Sequence, residues 1–153
     1  MEMPTPDKEH DRLTAFVGRW QGEETLFPSA FSPLERSAVG QFHYRMAMGG
    51  FFLLSDYEEL VANEPSYGGH GVYGYDEKQA CFNMHWFDSM GGSYLKPATG
   101  GWDGNSLVFQ NMSEQGHARY THTIEPEDYS FKIEISDDGE AWSMFMLGDY
   151  RRL

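Results

Sequence analysis

The chain has 153 residues, 24 acidic against 11 basic side chains for a net charge of −13, and 16% aromatic residues. That length suits one domain with its own core, and the acidic balance argues against nucleic acid or an anionic membrane as partner, since both call for a basic patch. Cys81 is the sole cysteine, so no intrachain disulfide forms, a usage that fits a reducing compartment.

Residues 1–7, Met1-Glu2-Met3-Pro4-Thr5-Pro6-Asp7, read as a flexible arm. They contain neither a basic nor an apolar stretch, so no signal peptide is expected, and no apolar run in the chain approaches the roughly 18 residues of a membrane span. The expectation is a soluble, cytoplasmic protein. Asp7 to Phe16 predicts one short helix, with Asp7 as N-cap and Leu13, Phe16 and Val17 at helical spacing.

Period two dominates from there on. The run Phe16-Val17-Gly18-Arg19-Trp20-Gln21-Gly22-Glu23 opens the first strand. Turn signals follow at Gly49-Gly50, Asn63–Ser66, Asp76–Gln79, Asp88–Gly92, Asp103-Gly104, Gln115-Gly116, Pro126-Glu127 and Asp138-Gly139. They delimit about ten strands, each paired with the next, and a long up-and-down antiparallel sheet of that size closes into a barrel to remove its edges. One domain, 1–153, is expected.

Tight hairpins give explicit registers. Met48 opposite Phe51 sets Tyr44 against Ser55, Phe42 against Tyr57 and His43 against Asp56. Tyr75 opposite Ala80 sets His70 against His85 and Val72 against Asn83. Ile124 opposite Tyr129 sets His122 against Phe131 and Arg119 against Glu134. Asp137 opposite Glu140 sets Ile135 against Trp142 and Ile133 against Met144. Leu107, Phe109, Tyr120, His122, Phe131, Ile133, Ile135, Trp142, Met144 and Met146 then share the inward face, while Gln110, Arg119, Lys132 and Glu134 face out. In the second and third strands Phe42, Tyr44, Ser55 and Tyr57 belong to the richer apolar set. The hairpin of 67–75 and 80–87 stays open. Carrying the register through Asn63–Ser66 puts His70, Asn83 and His85 inward and exposes Tyr73, Tyr75, Phe82 and Trp86, an aromatic patch suited to a homodimer. A one-residue slip reverses that assignment.

The Gly18-Arg19-Trp20 opening resembles the signature of the calycins, the lipocalin-like barrels. With Gly49-Gly50-Phe51-Phe52, Gly69-His70-Gly71-Val72-Tyr73-Gly74-Tyr75-Asp76 and Met84-His85-Trp86-Phe87-Asp88-Ser89-Met90-Gly91, the chain is similar, over residues 12–152, to a family of uncharacterised, mostly bacterial proteins, a domain of unknown function with lipocalin-like structure. The resemblance implies a closed β-barrel and brings no activity with it. In calycins the Gly-x-Trp tryptophan caps the closed end and an arginine near the chain end packs over it. Trp20, after Gly18, matches the first role; Arg152 is the choice for the second, with Arg151 as the alternative.

The inferred pocket is Tyr44, Ser55, Tyr57, His70, Asn83, His85, His122, Trp142 and Met144, an aromatic and Met-rich interior with a few polar handles. It suits a small hydrophobic or aromatic ligand. His70, His85 and His122 could converge on zinc, and some calycin-like barrels hold haem through one histidine, but no metal-binding spacing is present and the reading is no cofactor. His85 and Asp88 are the candidates for acid–base catalysis, which would make the protein an enzyme using the same cavity. A barrel filled by its own side chains, acting as a dimeric interaction module, is the third reading.

Overall fold

The computed structural model describes residues 1–91 and 96–153. A short helix, α1 (Lys8–Arg12), runs into a 3-10 turn, Leu13–Phe16. The Asp7 carboxylate accepts from the amides of Glu9 and His10, and the Asp7 amide donates to His10 Nδ1, a reciprocal cap. Ten strands follow: β1 (Gly18–Leu26), β2 (Arg36–Ala47), β3 (Phe52–Val61), β4 (Glu64–Asp76), β5 (Cys81–Asp88), β6 (Ala98–Asp103), β7 (Ser106–Ser113), β8 (Gly116–Ile124), β9 (Asp128–Ser136) and β10 (Ser143–Arg152). Each pairs with its neighbour in sequence, and β1 pairs with β10, closing an antiparallel barrel. No helix is long and apolar enough to cross a membrane among the described residues.

The two ends differ. At the base, Leu13 and Phe16 are fully buried and plug the barrel, and Trp20 is buried with its indole N–H on the Phe16 carbonyl at 2.9 Å. The Arg152 guanidinium lies 4.1 Å over the Trp20 ring and donates to the carbonyls of Val17, Ala15 and Pro126, while Arg151 is exposed beside Asp128. Gly18 has φ +133, and a Cβ there would run into Arg152, so glycine is required on both counts. Above this layer Phe42, Tyr44, Tyr73, Phe109 and Tyr129 fill the centre with rings at tilted and stacked angles. At the other end a small cluster of Leu26, Ala38 and Met146 covers the side formed by β1, β2 and β10.

Several registers stand as the hairpin pattern predicts: Phe42 opposite Tyr57, Tyr44 opposite Ser55, and His122 opposite Phe131. Three differ. The turn between β3 and β4 is the pair Ala62-Asn63, at φ 52 and 65, rather than Asn63–Ser66. Pairing resumes at once, with Leu60 opposite Pro65, and then shifts so that Glu59 faces Tyr67. Ser66 is the extra residue of this β-bulge, and its hydroxyl donates to the Glu59 carbonyl and carboxylate. A bulge inverts the phase of everything beyond it. Tyr73, Phe82 and Met84 are therefore buried, and the aromatic patch on which a dimer was argued lies inside the barrel. The β4–β5 register also moves by two, setting Val72 against His85 and His70 against Phe87.

The third difference is at β9–β10. Asp138 Oδ1 accepts from the amides of Glu140 and Ala141 and from Ser136 Oγ. Those amide contacts hold its carboxyl down at about 2. The connection is longer than a two-residue hairpin, Ser143 faces Ile135, and a bulge separates Met144 from Met146.

Candidate functional site

The interior splits the residues singled out from sequence. Tyr44, Ser55, Tyr57 and His122 are buried in the lumen. His70 is not: its Nδ1 lies 2.8 Å from Asp56 on the outer face, so Asp56, though opposite His43, bonds to His70. Asn83 and His85 alternate with the buried Phe82 and Met84 and share the outer face. Trp142 precedes β10 and stacks outside on Arg119 at 4.1 Å, where Arg119 forks onto Glu134. Met144 stands opposite Glu134, on the outer side of the bulge. The three histidines thus form no metal cluster, and His85 and Asp88 sit on opposite faces of β5. The turn Asp88–Gly92 is described only as far as Gly91.

Two polar constructions occupy the lumen. The first is central. The hydroxyls of Tyr44 and Tyr129 lie 2.8 Å apart, and His122 Nδ1 meets the Tyr129 hydroxyl. Full burial pushes His122 down to about 3, so it is a neutral imidazole, stacked on Phe131 at 4.6 Å. Its Nε2 has no partner among the described residues.

The second lies nearer the open end, and sequence reasoning missed it. The Tyr57 hydroxyl is 2.8 Å from both oxygens of Glu24 and 3.2 Å from Glu59 Oε2, while the Tyr150 hydroxyl donates to Glu24. Glu24 is 2% exposed and Glu59 8%. Room for these groups comes from glycines on β2 and β10: a Cβ at Gly40 would stand 2.2 Å from Glu24 Oε2, and one at Gly148 would stand 2.1 Å from the Tyr150 hydroxyl. Burial raises the Glu24 carboxyl to about 7, against the pull of the Tyr150 and Tyr57 hydrogen bonds and with the neighbouring Glu59 charge adding to it. A carboxyl so placed can give or take a proton near neutrality. The signal was present in the sequence: Glu24 shares parity with Trp20 and Leu26, and Glu59 with Leu53, Ser55 and Tyr57.

Beside it, on β4, β5 and β8, the barrel mouth is aromatic and half-buried. The Trp86 indole N–H donates to the Tyr67 hydroxyl at 2.9 Å, and that hydroxyl donates to Asp88 Oδ2 at 2.8 Å. Trp86 lies flat over Gly69, where a Cβ would come within 2.0 Å of its ring. Tyr120 points in from β8, and the Tyr57 ring lies 6.0 Å from Tyr67 and 6.2 Å from Trp86. The acid site and this aromatic wall are contiguous through Tyr57.

A separate groove of about 650 Å³ lies on the outside, between β1 and β4, with Arg19, Gln41, His43, Asp56 and Glu58 on its walls. Its floor reaches the buried Tyr57 and Phe42 between the strands, but the polar groups that converge on one another, Glu24, Glu59 and Tyr57, do so on the lumen side. Asp7, His10 and Glu77 have donor atoms within 4.8 Å of one another, but the carboxylates are exposed and His10 Nδ1 already accepts the Asp7 amide, so Asp7 and His10 serve the cap of α1.

A family model described as a protein of unknown function, DUF1579, matches residues 5–152. The chain belongs to that family. Among solved structures it is similar to Rv2717c from M. tuberculosis, with a TM-score of 0.71 and 11% identity over 96% of this chain and 98% of that one. At that identity the likeness establishes the shared barrel fold alone. No curated protein matches the chain. The family carries no described activity, and the barrel architecture rests on the strand topology and the solved neighbour.

Proposed function

We propose that this protein binds a small aromatic or amphipathic molecule in the mouth half of its barrel. The observation that carries this reading is the half-buried wall of Trp86, Tyr67 and Tyr120, in which Trp86 donates to Tyr67 and Tyr67 to Asp88, above a base filled by buried aromatic rings. Rings with a wet edge and a few fixed polar groups are the usual lining of a ligand site. Titration with the fluorescent probe N-phenyl-1-naphthylamine tests it. Saturable binding is expected, weakened about tenfold or more by Trp86→Ala and unchanged by Trp142→Ala on the outer face. Absence of saturation, or equal affinity in both variants, would sink the reading.

A second reading, an enzyme working by acid–base chemistry in the same lumen, is favoured by Glu24 with its carboxyl near 7. It moves the acid–base role from His85 and Asp88 to Glu24, with Tyr57, whose hydroxyl is pushed well up by burial and the two carboxylates, as a fixed hydrogen-bond donor.

A further inference from the structure

The lumen has an unbalanced charge. Glu24 and Glu59 are the buried charged side chains of the barrel, and both are acids. A third, Asp88, faces the mouth. None of the three joins an ion pair among the described residues; the lysines and arginines that do pair, Arg119, Lys132 and Arg151, do so with Glu134 and Asp128. Buried carboxylates are costly without a compensating positive charge. Here Glu24 and Glu59 share the single proton of the Tyr57 hydroxyl, and Tyr150 and Ser66 add one neutral donor each, with no cation among their partners.

A second observation points the same way. The walls beside these acids are Tyr57, Tyr67 and Trp86, with ring centroids 6.0 and 6.2 Å apart. Electron-rich ring faces next to carboxylates are the surroundings that recognise an ammonium group, through the ring quadrupole and through charge-assisted hydrogen bonds. An anionic ligand would meet three acids, and a purely apolar one would leave them uncompensated.

We propose that the ligand of this barrel is a small aromatic amine, whose ammonium group is received by Glu59 and Glu24 and whose ring lies against Trp86 and Tyr67. The proposal rests on the lumen-binding reading above and specifies its chemistry. The ammonium supplies the counter-charge that the fold lacks. Its three N–H donors match acceptors on two carboxylates, and below about pH 7 its arrival displaces the proton that Glu24 holds there. Binding is therefore coupled to proton release.

Three probes with one phenyl body and different heads separate the possibilities: 2-phenylethylamine, 2-phenylethanol and 3-phenylpropionate, titrated calorimetrically at about pH 8 and about pH 6. At the higher pH the amine should bind at least about tenfold more tightly than the alcohol, and the acid should bind weakest. The amine's advantage should shrink at the lower pH. Glu59→Gln should abolish the amine's advantage over the alcohol, read as the ratio of their affinities in that variant; if that variant does not fold, the pH comparison on the natural protein decides. Equal affinities for amine and alcohol would overturn the charge assignment while lumen binding stands. No binding of any of the three overturns the amine proposal, and the naphthylamine titration then says independently whether the lumen binds at all.

Discussion

At the scale of single residues, the interior is governed by two groups whose protonation differs between folded and unfolded chain, with opposite signs. Glu24 is raised from 4.5 to about 7 by burial. A raised carboxyl favours the folded state fully below its unfolded value, and that contribution is lost as pH rises through about 7. The span of about 2.5 pH units corresponds to on the order of 3 kcal/mol. His122 is lowered from 6.5 to about 3 by burial, so its contribution is complete above about 6.5 and is lost as pH falls toward 3. Between 4.5 and 6.5 the two contributions therefore change with opposite slopes and offset one another, so stability from these groups is level there, and it falls below 4.5 because His122 is charged in the unfolded chain. Urea unfolding across pH 5 to 8 checks this against Glu24→Gln, which keeps the shape and cannot ionise. The natural protein should lose stability on the alkaline side by on the order of 3 kcal/mol relative to the variant. Parallel curves would mean that Glu24 is not what titrates.

At the scale of elements, barrel closure depends on how the first and last strands are tied. Trp20 faces Arg152 across β1 and β10, and the arginine then reaches the carbonyls of Val17 and Ala15 before β1 and of Pro126 in the β8–β9 turn. It joins three segments at the base. Arg152→Ala should destabilise by about 2 kcal/mol, and Arg152→Lys should recover little of it, because an ammonium cannot both fork onto carbonyls and lie flat on indole. Arg151→Ala, exposed beside Asp128, should stay within about 0.5 kcal/mol. Indistinguishable unfolding midpoints for the two alanine variants would remove Arg152 from this role. Strand number, order and the Gly18-Arg19-Trp20 base are legible in the sequence because turn residues and period two are local signals. The β4–β5 interior is not, because one residue decides it. Ser66 looks like part of a turn, yet it is inserted into a strand, and the resulting bulge sends His70 and His85 out and Tyr73, Phe82 and Trp86 in. The outward displacement of Trp142 has the same kind of cause: the Asp138 carboxylate lengthens the β9–β10 connection and breaks the assumed hairpin register. The acid site was hidden differently. Glu24 has inward parity, but a glutamate in a strand is ordinarily read as solvent-facing, and only the assembled barrel brings Tyr57 from β3 and Tyr150 from β10 onto it.

At the scale of the whole molecule, the net charge of −13 acts on stability and on binding at once. Twenty-four acidic side chains against 11 basic ones leave most carboxylates without a partner, and the compact barrel holds them closer together than the unfolded chain does. At about 0.01 M salt the screening length is about 30 Å, so the whole surface repels itself; at about 0.15 M it is about 8 Å, and only neighbours do. Sodium chloride over that range should raise the melting temperature by several degrees, measured by scanning calorimetry at fixed pH. Chloride is the anion of choice because sulfate also strengthens apolar burial and would confound the result. The same field gathers cations at the mouth, so raising the salt should slow association of 2-phenylethylamine while hardly changing that of 2-phenylethanol. The two measurements are linked by sign: one quantity, the negative potential, is unfavourable to the fold and favourable to a cationic ligand. A melting temperature that stays level or falls with salt would show that local ion pairs such as Arg119–Glu134 outweigh the net repulsion, and the negative potential would then be too weak to steer a cationic ligand either.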